Sequence, residues 1–189
     1  MTESKGRELV LLRHAKSAWP DLPDHERPLA GRGRRDAPVM GRWLRTAGHV
    51  PDQVLCSTAR RTRETWQLAQ PELGTAPSVS FEDRVYEASA AQLLDLVRHA
   101  RSAVKTLLIV GHAPGIPDLA LMLAGADAPA DGGGGNGAMP PAVVDYMSAK
   151  FPTAAVAVLE LAGPWDRLSP GTARLTSFVT PRDVRSSAG

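Results

Sequence analysis

Leu9-Val10-Leu11-Leu12-Arg13-His14 and Leu107-Leu108-Ile109-Val110-Gly111-His112 are the two stretches that decide how this chain folds. Each is an unbroken apolar run of the kind that fills a strand covered on both faces, and each ends in a histidine. In open α/β sheets, ligands bind in the crevice outside the carboxyl ends of the strands, so Arg13, His14 and His112 point toward one pocket. A guanidinium binds phosphate bidentately and a neutral imidazole attacks it. The pair Arg13-His14 therefore suits an anionic, phosphate-bearing substrate.

Outward from these runs, short buried-type strands alternate with amphipathic helical patterns. That alternation predicts a three-layer α/β/α sandwich around a mostly parallel central sheet. The first strand spans about Glu8 to Arg13 and leads into a Pro- and Asp-rich loop, Ala15 to Pro28, placed to line the pocket. Leu29, Gly33, Ala37, Met40, Gly41 and Leu44 recur at helical spacing, and Pro38 predicts a kink or a late helix start there. Val54 to Cys56 reads as a strand, and Ala59 to Gln70 as a helix capped by Ser57 or Thr58. Then follow a strand near Val79 to Phe81, a helix from about Ala90 to Ser102, the strand ending at Gly111, and a helix from Ile116 to Ala124. Residues 125–141, rich in Gly, Ala and Pro, read as a flexible loop. A short helix near Ala142 to Lys150 and strands Ala154 to Leu161 and Ala173 to Val179 complete a single domain over residues 1–189. The tail after Pro181 is expected to fray.

The chain has 189 residues, 43% of them hydrophobic, enough for one domain with a sizeable core. Lys and Arg number 22 against 20 Asp and Glu, with arginines clustered between Arg27 and Arg63. That balance favours local anion sites over a nucleic-acid surface. A single cysteine, Cys56, cannot form an internal disulfide, and Met1-Thr2-Glu3-Ser4-Lys5 lacks the apolar core of a signal peptide; a reduced, cytoplasmic protein is expected. No apolar run approaches the roughly 20 residues that span a bilayer, so no membrane role is expected.

Three motifs then resemble one family. Arg13-His14-Ala15-Lys16-Ser17 follows the first strand, with Arg27-Pro28-Leu29 downstream. Ser57-Thr58-Ala59-Arg60-Arg61-Thr62-Arg63-Glu64-Thr65 is similar to a Ser-Pro-x-x-Arg-Ala-x-Gln-Thr pattern, and Gly111-His112-Ala113-Pro114 to a second-histidine motif. Together they resemble the histidine phosphatase superfamily, of phosphoglycerate mutase-like fold, and within it the small SixA-type phosphohistidine phosphatases. The resemblance covers nearly the whole chain. Departures are Ala15 for glycine, Thr58 for proline, Thr62 for alanine and Glu64 for glutamine.

The resemblance implies that His14 attacks phosphorus to give a phosphohistidine intermediate, while Arg13, Arg61 and His112 bind the phosphoryl oxygens without a metal or other cofactor. Arg27 is implied as a fourth phosphate donor. Asp83-Arg84-Val85-Tyr86 falls in the register of the general acid of ester-hydrolysing relatives, making Asp83 the candidate, with Glu82 and Glu87 as rivals. A leaving imidazole, with a pKa near roughly 6.5, needs that proton far less than an alkoxide does. Without room for the mutases' long helical lid, the groove should admit a phosphorylated protein, such as a histidine-phosphotransfer domain. Hydrolysis of a small phosphate ester or nucleotide is the competing enzymatic reading, and a non-catalytic phosphate-sensing or protein-binding module the competing non-enzymatic one. Retaining Arg13, His14, Arg61 and His112 together argues against the latter, since binding alone needs no nucleophile.

Other conspicuous residues read more plainly. His25, His49 and His99 lie in no strand-end motif and read as ordinary surface or core histidines. Arg32, Arg34, Arg35 and Arg42 read as a solvated helix face, Cys56 as packed, and Trp19 as a residue at the groove's edge.

Overall fold

The structure, a computed structural model, describes residues 6–125 and 140–187. The expected flexible loop at 125–141 lies outside the described residues except at its ends. Six strands form one sheet: β1 (Arg7–Arg13), β2 (Gln53–Ser57), β3 (Ser78–Glu82), β4 (Thr106–Gly111), β5 (Val156–Leu161) and β6 (Ala173–Val179), in the spatial order β3-β2-β4-β1-β5-β6. The first four run parallel; β5 is antiparallel to both β1 and β6. Among the described residues, six α-helices accompany them: α1 (Gly31–Thr46), α2 (Arg60–Ala69), α3 (Ala90–Arg98), α4 (Gly115–Ala124), α5 (Pro141–Ala149) and α6 (Pro181–Ser187).

Unbroken apolar strands are explained by two cores, one on each face. Along β1, Leu9 and Leu11 join one core with Leu107 and Ile109 of β4, covered by side chains of α3, α4 and α5. Val10 and Leu12 join the other with Leu108 and Val110, covered by α1, α2 and Val184 of α6. Alternate side chains of a strand point to opposite faces, so a strand buried on both sides has no polar position to spare. Each fully buried aliphatic side chain contributes about 1.5–3 kcal/mol relative to exposure. These three layers are the predicted α/β/α sandwich.

Register then positions the histidines. Arg13 pairs with Gly111, so His14 and His112 leave neighbouring parallel strands side by side, and the His14 amide donates to the Gly111 carbonyl at 3.0 Å. Gly33 lets α1 lie directly on the loop after β1, because a Cβ there would sit 2.2 Å from the Lys16 carbonyl oxygen. The Lys16 carbonyl also accepts from the Ala30 amide at 2.8 Å.

Several elements differ from their sequence expectations. The tail after Pro181 is helical, not frayed: the Thr180 hydroxyl accepts from the Asp183 amide while the Asp183 carboxylate accepts from the Thr180 amide, a reciprocal cap. Arg185 then ties this helix to buried Asp36 of α1 at 2.7 Å. Helix α1 begins at Gly31 and runs through Pro38, with no late start. Neither Ser57 nor Thr58 caps α2; Ala59 holds the N-cap position, and the Ser57 hydroxyl serves His112 instead. Helix α3 stops at Arg98, and β5 begins at Val156 because Ala154 adopts a positive φ of 61° and its amide is shared by the Arg13 and His14 carbonyls.

Candidate active site

His14 is buried beyond the end of β1, and its orientation follows from one hydrogen bond. Its Nδ1 lies 2.8 Å from the Ala15 carbonyl oxygen. A carbonyl only accepts, so Nδ1 carries the proton and Nε2 keeps its lone pair. Burial is the main cause that holds its pKa down to about 3; the Ala15 bond opposes the shift, and His112, Arg61 and Arg13 add to it. At neutral pH His14 is therefore an uncharged imidazole with a free nitrogen.

The His112 ring stands 5.3 Å from that of His14, centroid to centroid. Burial, then Arg61, pushes its pKa down to about 3 as well. The Ser57 hydroxyl oxygen accepts from the Ala59 amide and lies 2.7 Å from His112 Nε2. A hydroxyl has one proton to give and two lone pairs, so this contact holds the ring in place with the imidazole proton on either Nε2 or Nδ1. That Nδ1 is buried without a hydrogen-bond partner, and so is Nε of Arg13. Arg13 otherwise donates to the Phe151 carbonyl at 2.6 Å. Two unpartnered buried nitrogens thus belong to the residue before His14 and to the ring packed against it.

Helix α2 brings Arg61. The Thr65 hydroxyl donates to the Arg61 carbonyl and accepts from the Ala15 amide, locking helix and loop together. Thr62, one of the departures from the family pattern, is buried with its hydroxyl on the Ser57 and Ala59 carbonyls. Glu64, another, accepts from the Leu29 amide and pairs with Arg34 and Arg60. These departures are built into the joint between α2 and the site loop.

Asp24 is the residue that sequence reasoning missed most completely. Its carbonyl and carboxylate accept from Arg61 at 2.7 and 2.9 Å, and the carboxylate also accepts from Arg27 at 2.8 Å and from the Tyr86 hydroxyl at 2.8 Å. Burial alone would raise its pKa, but the bonds from Tyr86, Arg27 and Arg61 outweigh that and lower it. Tyr86 is shifted upward, by burial and then by Asp24. Arg27, the expected fourth phosphate donor, binds within the loop: its three nitrogens engage the Ala18 carbonyl, Asp24 and the Ser17 hydroxyl, and Trp19, 78% exposed, stacks on its guanidinium. It holds the loop in shape.

The carboxylates proposed as acids also separate. Asp83 accepts from the Thr58 hydroxyl at 2.7 Å, and Thr58 lies 3.0 Å from Nε2 of His25. The His25 ring packs edge-on to Tyr86, which in turn packs edge-on to His112. His25, read as an ordinary histidine, thus stands at the rim of the site beside Asp83. Glu82 pairs with Arg84 instead, and Glu87 adopts a positive φ of 54°. The one sequence signal for Asp24 and His25 was their place just before Arg27-Pro28-Leu29 in the loop after the first strand. Among the described residues, no group of three or more His, Cys, Asp or Glu is arranged to hold a metal, and no helix is long and apolar enough to cross a membrane.

A mixed α/β sheet with an Arg-His pair after β1 and a second histidine after β4 defines a phosphatase built around strand-end histidines. The chain belongs to the histidine phosphatase superfamily, branch 1, which residues 9–104 match. An uncharacterised protein of Mycobacterium tuberculosis is 42% identical over 175 residues, covering 90% of this chain and all of the relative. Among solved structures, a protein from Nakamurella multipartitia assigned as the phosphohistidine phosphatase SixA superposes with a TM-score of 0.77 at 32% identity, over 94% of this chain and 98% of the other. A protein from Agrobacterium tumefaciens with the same assignment gives 0.74 at 27% identity, over 94% and 100%.

Proposed function

We propose that this phosphatase hydrolyses phosphohistidine in a protein partner, in a cytoplasmic signalling setting, through a covalent intermediate on His14. The observation that carries this reading is an unprotonated His14 Nε2 in a site where Arg13 Nε and His112 Nδ1 are buried without partners. Nε2 attacks phosphorus in line; the His14 N–P bond forms as the substrate's P–N bond breaks, and the departing imidazole nitrogen takes a proton from solvent. Water then attacks the same phosphorus, the His14 N–P bond breaks, and inorganic phosphate leaves. Phosphoryl transfer passes through a loose transition state that needs positioning and positive charge on its equatorial oxygens. Arg13, Arg61 and His112 supply these from fixed positions, without a metal.

Asp83 is spared for a different substrate class. Its tie to Thr58 at the rim would matter for an ester, whose leaving oxygen needs a proton, and little for a leaving imidazole. The likeness to the two SixA-assigned structures supports the phosphohistidine reading. Side-by-side kinetics on a phosphohistidine-bearing protein and an aryl phosphate ester, for the wild type and Asp83→Asn, test it. The expected result is a preference of at least about 100-fold in kcat/KM for the phosphohistidine, with Asp83→Asn affecting only the ester. A preference for the ester, lost in Asp83→Asn, would mark a small-molecule phosphatase instead.

A further inference from the structure

Beside the candidate site lies an open groove of about 820 Å³ that shares Arg13 with it. Its floor is apolar, with Pro117 and Leu121 of α4, Tyr146 and Met147 of α5, and Phe151. Five cationic side chains line it against the single carboxylate of Asp118: Arg13, Lys16 from the loop after β1, Arg32 from α1, Lys150 just past α5, and Arg182 from α6. Arg32 is paired with Asp36. Lys16, Lys150 and Arg182 are exposed and make no ion pair with any described residue. Tyr146 on the floor is 46% exposed.

We infer that this groove docks an amphipathic segment with an acidic edge, belonging to the protein that presents the phosphohistidine. The inference rests on the proposed reading of the His14 site and names the surface that recognises its partner. Charge complementarity selects the occupant: unpaired cations around an apolar floor fit a polypeptide that offers apolar side chains along one stripe and carboxylates beside it. A lone phosphate would need donors converging on one point. Here Lys16, Lys150 and Arg182 come from three separate elements around a volume many times that of a phosphate. Because Arg13 borders both groove and site, a segment seated in the groove delivers its phosphorylated neighbour toward His14.

The test uses two synthetic peptides, each carrying one phosphohistidine followed by leucines at helical spacing, one with glutamates beside the leucines and one with glutamines. Wild-type protein should hydrolyse the acidic peptide with at least a tenfold higher kcat/KM, and the preference should shrink as salt is raised. In the double variant Lys150→Glu/Arg182→Glu the preference should vanish or reverse, with hydrolysis of a small aryl phosphate unchanged. An unaltered preference in the variant overturns the inference. So does an equal loss on the small substrate, since that would mean a damaged site. If neither peptide is hydrolysed above a His14→Ala blank, the phosphohistidine reading fails separately. The same peptides, fluorescently labelled, then decide the groove by binding: a lower Kd for the acidic one that the variant abolishes supports it, and equal Kd values overturn it.

Discussion

Arg13 donates to one backbone carbonyl and keeps a buried Nε without a partner, whereas Arg61, the other arginine whose charge acts on His14, is held at two nitrogens by Asp24. The two cations are positioned by different means. Arg13 is the last residue of β1, aimed by the sheet itself. Arg61 projects from a helix and is aimed by a loop that folds back and is tied through Asp24, Arg27 and Tyr86. One half of the site is set by backbone hydrogen bonds within the sheet, the other by side-chain hydrogen bonds between distant segments. Losing a residue from each half should therefore have different consequences.

The largest effect belongs to His14. His14→Ala should lower turnover by roughly 10⁴-fold or more, because the proposed nucleophile is gone while both cations remain. Circular dichroism should show the fold and its cooperative unfolding retained. Wild-type turnover in this variant would remove His14 as the nucleophile.

Next come the arginines, which separate the halves. Arg13→Ala and Arg61→Ala should each cost about 10²–10³ in kcat/KM, the scale of losing one preorganised donor to a developing charge. Stability should divide them. Arg61→Ala strips Asp24 of two hydrogen bonds and unlatches the loop, a loss of about 1–3 kcal/mol by denaturant unfolding; Arg13→Ala breaks only the bond to Phe151. Equal destabilisation by the two would erase the distinction.

The same division explains what was legible in the sequence. Two apolar runs ending in histidine, with Arg13 beside one of them, announce a sheet, its strand ends and half of the site, because strand burial and strand direction are local properties. Asp24, His25 and Tyr86 are not legible that way. Asp24 meets Arg61 at a sequence separation of 37 and Tyr86 at 62, and nothing periodic marks a loop that folds back on a helix. Arg27 shows the limit from the other side: its motif is plain, yet its bonds to Ala18, Asp24 and Ser17 within the loop are not legible from it. Helix α6 was readable in principle, since Thr180-Pro181-Arg182-Asp183 carries both residues of its reciprocal cap. The Pro181 that suggested an end is instead the first helical residue, a position proline favours.

The smallest expected effect on activity, and the sharpest on the shared core of both halves, concerns pH. His14 and His112 are held neutral, with pKa values near 3, whereas both ionise near about 6.5 in the unfolded chain. Between those values the unfolded chain binds protons that the folded protein does not, so stability rises with pH through this window. The full stability is present above about pH 6.5 and is lost as pH falls toward 3, by up to about 1.4 kcal/mol per histidine per pH unit. Activity should hardly register the change down to about pH 5, because His14, the proposed nucleophile, stays unprotonated there. Nitrogen-15 NMR of the imidazoles checks both claims together: His14 Nε2 should remain unprotonated at pH 5 while denaturant midpoints already fall. Protonation of His14 near pH 6.5 would mean that neither burial nor the two arginines sets its charge, and would move the acid limb of the rate profile from the substrate to the enzyme.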